Sequence, residues 1–93
     1  MEELFILIAE DDADDRFLLQ SAFQENGYTD RLHFVENGID LIEYLNVLSA
    51  TAAQMPRFIL LDLNMPKKDG REVLKEIKLH ALFKKIPVFF QYH

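Results

Sequence analysis

The sequence predicts an α/β fold, a parallel sheet with helices on both faces carried by a single domain. Three observations lead there. Four short apolar runs recur along the 93 residues: LFILIA at 4–9, RLHFVE at 31–36, FILLD at 58–62 and IPVFFQY at 86–92. The segments between them place apolar residues at helical spacing. The connections are only a few residues long, and strand alternating with helix over short links builds right-handed βαβ units, hence a parallel sheet.

Each element has its own signal. LFILIA is apolar without alternation and runs into Glu10, Asp11 and Asp12, as a strand buried on both faces would. From Ala13 the spacing changes, with Phe17, Leu18, Ala22 and Phe23 near helical intervals. Acidic residues crowd the first turn, where the helix dipole favours them, and Gly27 supplies a stop. RLHFVE alternates as a second strand, and Asn37-Gly38 turns the chain. GIDLIEYLNVLSATAA then carries Ile39, Ile42, Leu45 and Leu48 at three-residue steps, a second helix, and Pro56 closes the loop after it. FILLD is the third strand and NMPKKDG the loop beyond it. REVLKEIKLHAL is the third helix, with Val73, Leu74 and Ile77 inward and Asp69-Gly70 available to start it. IPVFFQY is the fourth strand.

Composition narrows the function. The chain is 49% apolar and 28% charged, which fits a soluble globular domain, and no cysteine is present for a disulfide framework or a thiolate metal site. The net charge of −6 disfavours a nucleic-acid partner, which needs clustered Lys and Arg. Neither a signal peptide nor an apolar run of the roughly 20 residues needed to cross a bilayer is found. A cytoplasmic protein with no membrane partner is expected.

Four of the sixteen acidic residues fall within DDADD. In a parallel sheet, ligands bind outside the carboxyl ends of the strands, so Glu10, Asp11, Asp12 and Asp62 are expected to gather at one edge. Converging carboxylates repel one another and call for a hard cation. Mg²⁺ takes oxygen ligands and typically one or two carboxylates with waters and a phosphate. Asp11 and Asp62 are the candidate direct ligands, Glu10 a ligand through a water, and the backbone carbonyl of Asn64 a further one. With Mg²⁺ present, a carboxylate oxygen of Asp62 can attack phosphorus. For DDADD alone an acidic helix start is the commoner meaning, and for Asp62 alone a turn residue. A nucleotide hydrolase would need a GxxxxGK[ST] loop, and a haloacid-dehalogenase-type phosphatase an Asp at 64; neither is present. His33, His80 and His93 receive no role.

AEDD at 9–12, LLDLNMPKKDG at 60–70 and KIPVFF at 85–90 resemble the receiver domain of two-component response regulators, over nearly the whole chain. Most similar are small single-domain regulators, including those that serve bacterial phytochrome-type kinases. The resemblance implies a flavodoxin-like fold with strand order 2-1-3-4, the fifth strand and last two helices being absent, so that 1–93 reads as one receiver domain incomplete at its C-terminus. It implies phosphotransfer from a sensor histidine kinase to Asp62, a phosphoacceptor rather than a turnover enzyme, with Mg²⁺ held by Asp11, Asp62 and the Asn64 carbonyl, and Glu10 as the outer acidic residue. Tyr92 stands at the switch position where receivers carry Ser or Thr, Gln91 stands before it in place of an aliphatic, and the fifth-strand lysine has no counterpart. A fourth strand left at the sheet edge, flanked by Val88, Phe89 and Phe90, predicts self-association by strand pairing or element exchange. The alternative function is accordingly a non-catalytic, self-associating receiver fragment acting through protein contacts.

Overall fold

The computed structural model describes residues 4–28, 31–63 and 69–91. Their order is β1 (Phe5–Ala9), α1 (Ala13–Glu25), β2 (Arg31–Val35), α2 (Gly38–Ala50), β3 (Ile59–Asp62), α3 (Gly70–Leu79), a 3-10 turn (Phe83–Lys85) and β4 (Val88–Gln91). All strand pairs are parallel and the order across the sheet is β2-β1-β3-β4. The chain steps from β1 to β2 in one direction and from β2 through β3 to β4 in the other. Right-handed crossovers therefore send α1 to one face and α2 with α3 to the other.

The two faces are unequal. Phe5, Leu7, Ala9, Val35, Ile59 and Leu61 meet Leu41, Leu45 and Leu48 of α2, Val73 and Ile77 of α3, and Phe83 and Ile86 in one continuous core. On the other face Ile6 and Ile8 are fully buried, yet α1 itself buries no residue. Phe17 and Leu18 are 68% and 63% exposed, Leu19 and Phe23 are half-buried, and Phe23 shares a cleft with Leu60 and Phe89. The apolar spacing of α1 is thus a helix signal without a covered stripe. In α2 the buried stripe is Leu41, Leu45 and Leu48, while Ile39, part of the three-residue spacing that marks the helix, faces solvent.

The caps explain where the helices begin and end. Asp12 accepts the N–H groups of Asp14 and Asp15 at 2.9 and 3.0 Å. Asn37 accepts that of Asp40 at 2.9 Å, so Asn37-Gly38 turns the chain directly into α2. At the end of α1, Gly27 has φ +79°, a conformation that glycine adopts without a Cβ penalty. Gly27 N–H bonds to the Gln24 carbonyl and Tyr28 N–H to that of Phe23, with the Phe23 and Tyr28 rings edge to face at 5.4 Å, a Schellman end with its apolar contact.

Two histidines take structural places. His33 lies flat on Tyr44 at 4.1 Å, where burial, aided by the Arg31 charge, pushes its pKa down from the usual imidazole value. Nδ1 of His80 accepts the N–H groups of Leu82 and Phe83, and its ring stacks on Phe83 at 3.6 Å, which ties the end of α3 to the 3-10 turn. His93 lies outside the described residues. Among the described residues no helix is long and apolar enough to cross a membrane.

Candidate phosphoacceptor and metal site

The β1–β3 register determines what meets at the carboxyl edge of the sheet. Ala9 is the partner of Leu61, so the next residue on each strand, Glu10 and Asp62, stands beside the other. Glu10 N–H bonds to the Val35 carbonyl at 3.0 Å, which carries the β1–β2 pairing one residue past the strand. Glu10 and Asp62 are buried, at 0% and 1% exposure, while Asp11 faces solvent. Carboxylate oxygens of Glu10, Asp11 and Asp62 all lie within 4.8 Å of one another. Burying paired acids is costly unless hydrogen bonds or a cation offset it. Oε1 of Glu10 accepts one such bond, from Asp12 N–H at 3.1 Å.

Three of the expected site residues therefore converge. Asp12 does not join them, because its carboxylate is turned to the first turn of α1, where two N–H groups satisfy it. The acidic run divides by position: the residues at the strand end face the site and those after it serve the helix. Asn64 and Tyr92 lie outside the described residues, as do Pro66, Lys67 and Lys68. Beyond those residues, Asp69 caps α3 by accepting Arg71 N–H at 2.6 Å.

The chemistry of the cluster suits a hard divalent cation: three carboxylates from two strands, two buried and one at the mouth. One neighbour, Gln91, stood out in the sequence only as a polar residue in place of an aliphatic, with no part in the site assigned to it. Gln91 is the β4 partner of Asp62, and its side-chain Oε1 is buried with no hydrogen-bond partner. A polar residue ending an otherwise apolar strand was the available signal.

Comparison with known proteins agrees with this arrangement. The probable methanogenesis regulatory protein FilR2 of Methanothrix harundinacea is 36% identical over 87 residues, 94% of this chain and 56% of that protein. The response regulator Rcp1 of Synechocystis sp. is 39% identical over 84 residues, 89% of this chain and 57% of that protein. The chain spans a little over half the length of these curated relatives. A solved structure of Rcp1 in its Mn²⁺-bound form matches with a TM-score of 0.84 at 36% identity, covering 96% of this chain and 65% of that one. The phosphorylated cyanobacterial phytochrome response regulator RcpA matches with a TM-score of 0.85 at 38% identity, covering 98% and 66%. The family described as response regulator receiver domain matches residues 6–91. With the 2-1-3-4 parallel sheet and the acidic edge in place, the chain belongs to the response regulator receiver domain family.

Proposed function

We propose that this chain is a phosphoacceptor of a two-component relay, working in the cytoplasm, in which Asp62 receives a phosphoryl group from the phosphohistidine of a sensor kinase. The observation that carries the reading is the convergence of Glu10, Asp11 and Asp62 within 4.8 Å at the carboxyl edge of the sheet. Asp11, Asp62 and the Asn64 carbonyl would hold Mg²⁺, with Glu10 acting through a water. When bound, the ion neutralises charge on the phosphoryl oxygens. A carboxylate oxygen of Asp62 forms the new O–P bond, the N–P bond of the donor breaks, and its electron pair remains on the imidazole, which takes up a proton. Asp11, the exposed member of the cluster, leaves it open to solvent and so to a donor. The Mn²⁺-bound Rcp1 and phosphorylated RcpA structures support carrying this chemistry over.

The test is incubation with Mg²⁺ and acetyl phosphate, read by intact mass. One phosphoryl group is expected on the wild type and none on Asp62→Asn. An adduct that persists in Asp62→Asn, or none on a wild type that binds Mg²⁺, rejects the assignment.

A second reading rests on β4, which ends the described sheet and carries Phe89 and Phe90 at 54% and 38% exposure. Strand edges with exposed aromatics template pairing with another chain. Self-association through β4 is then expected, as a dimer in sedimentation velocity that Phe89→Lys returns to monomer. A wild type that sediments as a monomer at all concentrations removes this reading.

A further inference from the structure

Gln91 and Asp62 are Cα partners in the parallel β3–β4 register. Side chains at partnered positions leave a sheet on the same face, from strands about 4.7–4.9 Å apart. Leu63 N–H bonds to the Gln91 carbonyl at 3.4 Å, so the pairing holds up to the rim of the site. Oε1 of Gln91 is buried without a donor. Buried polar atoms are nearly always paired, and one that is not calls for an explanation. In their ionised form, the form that binds a cation, Asp62, Glu10 and Asp11 cannot provide it, because an ionised carboxylate only accepts. What the oxygen lacks is an O–H or N–H donor, on the sheet face and at the strand end that it shares with Asp62.

A small divalent cation brings such donors. Mg²⁺ gives up its waters reluctantly and keeps several in protein sites, and their protons need acceptors. We propose that Gln91 is a positioning residue for the cation of this site, its Oε1 taking a hydrogen bond from a water in the hydration shell of the ion held by Asp11 and Asp62. The proposal rests on the metal-binding part of the function above. Outer-shell partners of this kind typically change metal affinity by about 10–100-fold when removed. A neutral amide at the rim of the site sits at the low end of that range, about tenfold. Gln91 thereby gives β4 a part in the site that a strand of aliphatic residues would not have.

The experiment measures the Mg²⁺ dissociation constant by calorimetry, and the melting temperature without metal, for the wild type, Gln91→Leu, Gln91→Met and Gln91→Glu. Leu and Met remove the acceptor at similar volume, and either one that folds suffices. The expected result is about tenfold weaker Mg²⁺ binding in Gln91→Leu or Gln91→Met. Their metal-free melting temperature should equal or exceed that of the wild type, since the unpaired oxygen is gone. Gln91→Glu, which keeps an acceptor, should bind at least as tightly as the wild type. A merely structural glutamine would move the melting temperature and leave the dissociation constant alone. Unchanged Mg²⁺ affinity in Leu and Met, or weakened affinity in Glu, overturns the proposal while the metal site stands. A wild type that binds no Mg²⁺ removes the metal site and the role of Gln91 together.

Discussion

Phe83→Ala is expected to lower the unfolding free energy by about 3–5 kcal/mol, the range for truncating a fully buried phenylalanine. Phe83 is 1% exposed and sits in the 3-10 turn between α3 and β4, against the core shared by β1, β3, α2 and α3. His80 lies flat on its ring while accepting the Phe83 N–H, so truncation also loosens the connection that brings the chain into β4. A chain of this length buries a smaller share of its surface than a larger domain, and small domains are stable by only about 5–15 kcal/mol. The face under α1 has little to spare, because no side chain of α1 is fully buried. Loss of most cooperative unfolding in a urea titration followed by circular dichroism is the expected readout. Phe17→Ala, on the open side of α1, should stay within about 0.5 kcal/mol of the wild type. Equal costs for the two phenylalanines would show that the core does not lie where the structure puts it.

How much of this could be read from residues alone differs between elements for definite reasons. Strands announced themselves because both faces are apolar, so LFILIA and FILLD needed no phase to be recognised. The site followed from topology, since parallel strands share a carboxyl edge and a carboxylate ending two of them must arrive there together. Helix phase was harder. Ile39, Ile42, Leu45 and Leu48 advance in three-residue steps, each falling about 60° short of a full rotation, so the first and last lie on opposite sides of the helix. The covered stripe, Leu41, Leu45 and Leu48, alternates steps of four and three. In α1 the apolar residues gave the helix correctly but said nothing of what covers it, because that depends on surfaces outside the segment.

Hydrogen-bond roles were the least legible. Asp12 and Asp11 are chemically identical neighbours, and only the backbone direction at the β1–α1 junction sends one to the helix and the other to the acidic cluster. His80 and Gln91 act through single atoms whose partners, or lack of them, appear only in three dimensions. Such residues carry no periodicity, and the polar ending of β4 was the sole trace that Gln91 left in the sequence.

Gly70→Val should disable the site from behind, through contact and not through chemistry. Gly70 begins α3, and a Cβ placed on it would stand 3.0 Å from the backbone oxygen of Asp62 and 3.1 Å from the Cα of Leu63. Both are main-chain atoms, which cannot swing aside as a side-chain tip can, so α3 must withdraw or the end of β3 must shift. Overpacking of this kind costs about 1–3 kcal/mol and occasionally more. The shift falls on the residue whose carboxylate must stay within 4.8 Å of Glu10 and Asp11, so Mg²⁺ affinity should drop at least tenfold alongside the melting temperature. Gly27→Ala is the control. Its φ of +79° makes any side chain unfavourable, but a Cβ there meets nothing within 4 Å, and it lies at the far end of α1 from the site. That variant should lose about 1–2 kcal/mol and keep wild-type Mg²⁺ binding. If Gly70→Val binds Mg²⁺ as tightly as Gly27→Ala does, the close approach of α3 to the Asp62 backbone does not hold the acidic cluster in place.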